Sequence, residues 1–164
     1  MSLLKRIESN DFEKTTMDQI IGATRKALDD EGLKYDCPED GPVFSVPFKV
    51  DNTCFVLLLK FSEYRMRFVC VLDFKATEVA STRVIQVMNQ INEHLSYGAF
   101  YLESEDRYLV YDYGLPIQAV RPDPRFIALM MGLAVGVVAH HYETLKEAVD
   151  TVSAQAQAPA LIYS

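Results

Sequence analysis

Residues 43–74 read VFSVPFKVDNTCFVLLLKFSEYRMRFVCVLDF, three apolar runs broken by Asp51-Asn52 and by Ser62-Glu63-Tyr64. Runs of this length, rich in Val, Phe and Leu and separated by two or three polar turn residues, are strands joined as hairpins, so the three must be antiparallel neighbours. Val43 to Val50 holds Pro47, which has no N–H to give a ladder, and this places the run at a sheet edge or at a bulge. Thr53 to Phe61 is apolar on both alternating sets, Phe55, Leu57 and Leu59 against Val56 and Leu58, the pattern of a central strand covered on two sides. Arg65 to Asp73 alternates cleanly: Met66, Phe68, Cys70 and Leu72 share one face, and Arg65, Arg67 and Asp73 belong to the other.

Upstream, Thr16 and Gln19 have capping-box spacing, and Met17, Ile20, Ile21, Thr24 and Leu28 recur on one helical face until Gly32. Residues 1–14 mix charges with isolated apolar groups and form an N-terminal arm. An acidic stretch from Asp29 to Asp40 then leads through Pro38, Gly41 and Pro42 into the strands. Downstream the period returns to helical from about Thr77 to Tyr97, with Val84, Val87, Met88, Ile91 and Leu95 on one stripe and Gly98 as the stop. Two short strands follow, Ala99 to Glu103 and Arg107 to Tyr113, then an irregular Gly114 to Pro122. Asp123 as N-cap and Pro124 at the first helical position open a last helix to about Thr151. Residues 153–164, rich in Ala, Gln and Pro, read as a flexible tail. The expected fold is α+β in the order α-β-β-β-α-β-β-α, a mostly antiparallel five-stranded sheet packed with helices in a single domain over 1–152.

From the middle of the second helix into the fourth strand, Asn89, Asn92, Leu95, Gly98, Phe100 and Leu102 fall as N-x-x-N-x-x-L-x-x-G-x-F-x-L. This pattern, with the three strands before it and the long helix after it, resembles the YbjN family over roughly residues 16–150, a family whose fold is similar to that of type III secretion chaperones. The resemblance implies a small chaperone-like interaction domain, often dimeric. The residues themselves explain the motif physically. Gly98 permits a left-handed helix stop, Phe100 and Leu102 point to one strand face, and the Asn89 and Asn92 amides lie on one helix side where they can tie down neighbouring backbone.

The charge is −7, with 23 acidic against 16 basic residues, which opposes nucleic-acid binding and attraction to anionic membranes. The first residues contain no apolar stretch of signal-peptide length, and Cys37, Cys54 and Cys70 form an odd set without CxxC spacing. They read as reduced thiols of a cytoplasmic protein. No nucleophile elbow, phosphate loop or dinucleotide fingerprint is present. His140 and His141 are adjacent and so diverge around a helix, His94 stands alone, and the acidic stretch lacks the spacing of a calcium loop. No catalytic residue, metal or cofactor is therefore expected. Tyr101, Tyr108, Tyr111 and Tyr113 with Arg65 and Arg67 resemble a base-stacking surface, which the net charge argues against.

The last helix carries the functional expectation. From Phe126 to Ala139 it contains no charged residue and is apolar all round, more than one sheet face can cover. The run stops at His140 and falls short of the roughly 20 residues that a membrane span needs. Ala128, Gly132 and Gly136 form a flat groove, and Met131, Val135, Val138 and Tyr142 a second stripe. One stripe is expected on the sheet and the other against a second copy, the alternative being full burial under the N-terminal helix. The expectation is a non-enzymatic, chaperone-like or regulatory module, a homodimer that holds an unidentified client protein, with Arg65 and Arg67 on its sheet surface. The competing reading is a small-ligand sensor or enzyme with a pocket between sheet and helices.

Overall fold

A computed structural model describes residues 17–38 and 43–157, with side chains described as far as Thr151. The arm over 1–14, the capping residue Thr16, the turn residues Gly41 and Pro42, and the last seven residues of the tail lie outside the described residues.

Helix α1 spans Met17–Asp30 and buries Ile20, Thr24 and Leu28 of the stripe that the helical period marks out, together with Ala23 and Ala27, while Met17 and Ile21 are half-buried at its border. It ends as a glycine-terminated helix should: Gly32 takes φ +65, its N–H donates to Asp29, and the Leu33 N–H reaches back to Leu28. Strands β1 (Val43–Val50), β2 (Thr53–Phe61) and β3 (Arg65–Lys75) follow as two hairpins. Helix α2 covers Ser81–Asn92, then come β4 (Ala99–Leu102), β5 (Tyr108–Pro116), a 3-10 turn over Ile117–Ala119, and helix α3 over Pro124–Gln157. All pairings are antiparallel, and the sheet order is β1-β2-β3-β5-β4.

Three elements differ in extent from the sequence reading. Helix α2 is shorter at both ends, because the chain tightens after Asn92 through 3-10-type bonds, His94 to Ile91 and Leu95 to Asn92, and turns back toward β4. Strand β5 runs on through Gly114–Pro116, which pair with Arg65, Met66 and Arg67 and so are not irregular. Helix α3 continues to Gln157, through the first residues of the expected tail.

One hydrophobic core joins the helices to a single face of the sheet. It contains Phe44, Leu57, Leu59, Met66, Phe68, Cys70, Leu72, Leu109 and Tyr111 from the strands, and Ile127, Met131, Ala134, Val138, Tyr142 and Leu145 from α3. The other alternating set, Val56, Leu58, Val69, Val71 and Val110, stands apart from that core. Strand β2 is an interior strand as expected, yet among the described residues helices cover it on one side only; its second apolar set is half-buried on the other face.

Candidate binding surfaces

Each edge of the sheet is obstructed at one place, which bears on the surfaces that remain for a partner. On β1, Ser45 exchanges two backbone bonds with Asp36 (2.8 and 2.9 Å), and two residues on, Pro47 offers no N–H at all. That is where an edge strand tolerates proline. On β4, the Asn92 amide accepts from the Phe100 N–H (2.8 Å) and donates to the Phe100 carbonyl (2.9 Å), occupying the groups that an added strand would need. Gly98 turns the chain into this clip at φ +66, and a Cβ there would lie 2.6 Å from both the Asp112 carbonyl and the Tyr111 hydroxyl. Asn92, Gly98 and Phe100 meet in this clip, while the Asn89 side chain stays exposed without sharing in it.

The first open surface is the outer side of α3. Leu129 is 60% exposed and Leu133 38%, with exposed Gly132, Gly136 and Ala139 on the same side. A Cβ on Gly132 or Gly136 would meet nothing within 4 Å, so a shallow gap runs between the leucines. Of the residues singled out in the sequence, Gly132 and Gly136 lie here. Ala128 and Val135 are half-buried flanks, and Met131, Val138 and Tyr142 are buried in the protomer's own core, where they cannot meet a partner. Tyr142 is fixed from below by a 2.5 Å hydrogen bond from its hydroxyl to Asp73 and an edge contact with Phe74. The exposed leucines were the signal missed: they sit one residue after Ala128 and Gly132, and helical period alone does not say which of two neighbouring stripes faces the sheet.

The second is the open sheet face. Arg67 forms a two-pronged pair with Asp112, Nε to Oδ1 at 3.1 Å and Nη2 to Oδ2, and that hydrogen bond pushes the guanidinium pKa up against its partial burial. Arg65 is exposed on the same face. Beside them a cavity of about 560 Å³ is lined by Tyr64, Arg65, Tyr101, Asp112, Gly114 and Pro116. It lies on the far side of the sheet from the helices, not between the two layers. The tyrosine group read from sequence is split by strand alternation. Tyr101 shares this face, whereas Tyr111 is buried on the helix side, donating to the Tyr97 carbonyl, and Tyr113 stacks on Phe68 there.

The histidines do not converge. His141 meets the Phe100 ring at 5.9 Å, and burial first, then His140, lowers its pKa. Among the described residues no three His, Cys, Asp or Glu side chains are placed to hold a metal ion. The raised pKa values, about 12 for Cys70, Tyr111 and Tyr142, come first from burial in the core rather than from a reactive cleft. By length and composition Pro124–Thr151 is apolar enough to cross a membrane, and one side of it is built into the core.

The YbjN family model, described as "Putative bacterial sensory transduction regulator", matches residues 25–147. The chain belongs to the YbjN family. The crystal structure of YbjN from E. coli, titled a "putative transcription regulator", is similar with a TM-score of 0.57 at 14% identity over 82% of this chain and 93% of that one. At that identity the likeness concerns the fold. A search of curated proteins finds no match. The matched span of the YbjN model begins inside α1 and ends within α3, so it takes in the Asn92 clip, the open sheet face and the exposed side of α3.

Proposed function

We propose that this YbjN protein is a non-enzymatic regulatory module that binds other protein chains and works as a homodimer. The observation that carries this reading is the outer side of α3, where two leucines stand in water along a helix uncharged from Phe126 to Ala139. Large contiguous apolar surface on a soluble chain marks an interaction site. A second copy fits it best. The same stripe holds both knobs and gaps, leucines beside glycines, so it is self-complementary about a two-fold axis, and its lack of charge avoids the repulsion that a chain of net charge −7 would otherwise meet.

Three further points support the module reading. The pKa values raised to about 12 belong to packed core groups, both sheet edges are partly obstructed, and Cys37, Cys54 and Cys70 are all free thiols, as suits a reducing cytoplasm. The rival, a small-ligand sensor, has the sheet-face cavity in its favour. Yet Tyr64 at its wall is 75% exposed, and a small ligand is usually buried over most of its surface.

Light scattering on the full chain at micromolar concentration tests the dimer. A mass near twice 18.6 kDa is expected, with Leu133→Glu returning it to the monomer at unchanged melting temperature. A wild-type monomer overturns the reading. So does a chain that dimerises only after residues 1–14 are deleted, since the arm would then be the occupant of that face.

A further inference from the structure

The open sheet face carries positive charge in one corner. Lys60 pairs directly with Arg67 across β2 and β3, and Arg65 lies two residues along the same side of β3. Against these three cations Asp112 partners Arg67; among the described residues neither Lys60 nor Arg65 is in an ion pair, and exposed Glu63 in the adjoining turn joins neither. Like charges opposite each other on a sheet are destabilising. In a chain of net charge −7 this is a local reversal of sign, held at a cost unless an anionic group meets it.

The cavity begins beside that corner. Its floor is Gly114, which pairs with Arg67 and puts no side chain on the surface, and its walls include Tyr64 and Tyr101, the latter 40% exposed. Asp36 and Pro47 obstruct part of β1 and Asn92 part of β4, which disfavours a partner chain as a sixth strand and favours one lying across the face.

We propose that this corner docks a peptide segment of a partner protein in which an acidic side chain stands beside an aromatic or aliphatic one. The carboxylate pairs with Arg65, whose planar fork suits two parallel bonds, and Lys60 adds its charge. The apolar side chain drops onto Gly114 between the two tyrosines. Arg67, already held by Asp112, presents a fixed rim. A nucleic acid is disfavoured because three cations on an acidic chain leave its remaining phosphates repelled, and a free small acid would stay largely in water at so open a site. The inference rests on the protein-binding reading but uses a different surface from the α3 dimer.

Panning a random-peptide phage library on the full chain, with parallel panning on Gly114→Val and Arg65→Glu, tests it. A Cβ on Gly114 would make only ordinary contacts, 3.6 Å to Arg67 Cγ, and valine suits a strand, so Gly114→Val should melt at or above wild type while filling the cavity. Arg65 is exposed, so its replacement carries the test if Gly114→Val folds poorly. The enriched peptides should place Asp or Glu next to Phe, Tyr or Leu, and synthetic copies should bind wild type with about tenfold loss in each variant. No enrichment, enriched peptides without acidic residues, or equal binding to both variants overturns the proposal. So does tighter binding of a single-stranded oligonucleotide or of benzoate. Light scattering on the same samples separates the two readings: a monomer that binds the peptides sinks the α3 dimer alone, and a dimer that binds none sinks this inference alone.

Discussion

On β3 the side chains of Met66, Phe68, Cys70 and Leu72 are buried beneath the helices, whereas Arg65, Arg67 and Val71 look out from the opposite side of the same strand. The covered face is built from large side chains locked among α1, α2 and α3; the open face is built from small branched ones bordered by an ion pair. Both faces are apolar at their centres, but only one belongs to the continuous core. A strand that is greasy on both sides therefore need not have two covers, and the second greasy side is free for other use. Changes that cost the fold dearly should cluster on the first face and changes that cost binding on the second.

The sharpest break would come from neighbouring strand positions. Phe68→Ala should lose about 3–5 kcal/mol in urea unfolding, and Val71→Ala, half-buried on the open side, about 1 kcal/mol; equal losses would mean that the open face is covered in solution. Next, Gly98→Ala combines a left-handed backbone with a 2.6 Å clash and should cost about 2–4 kcal/mol. Asn92→Ala, which strips both bonds from Phe100, should cost about 1–3 kcal/mol and speed amide exchange at Phe100. Exposed Asn89→Ala should stay within about 0.5 kcal/mol.

The last test is alkaline and probes the covered face as a whole. Burial holds Cys70, Tyr111 and Tyr142 near 12, above their ordinary values of 9.0 and 10.0, so in that window the unfolded chain has released protons that the folded chain keeps. Stability is whole below pH 9 and drains away as pH climbs toward 12. Urea midpoints at stepped pH should fall there; a flat profile would contradict the burial of these three groups.

Most of this architecture is visible in the residues themselves. Alternation in 43–74 gives the hairpins and the buried set, and Gly32 and Asp123-Pro124 mark helix ends, because each of these signals is local; Gly98 takes its left-handed turn only after α2 has ended at Asn92. What is not local stays hidden. That β5 rather than β4 lies beside β3 depends on how the chain crosses after α2. Whether Met131 or Leu129 faces the sheet depends on a helix rotation that an all-apolar run does not encode. Arg65 and Arg67 were legible as surface residues from the β3 period, but their cavity required Gly114, Tyr101 and Tyr64 from three other segments to meet.

The amide clip on Phe100 and the proline at position 47 have a bearing on crowded conditions. A sheet with each hem caught by a stitch gives a neighbouring copy less thread to pull, which hinders copies from queuing side by side into fibres through their strands. Such a molecule can keep a sticky foreign stretch against its flat side, at high abundance, without becoming the seed on which that stretch piles up.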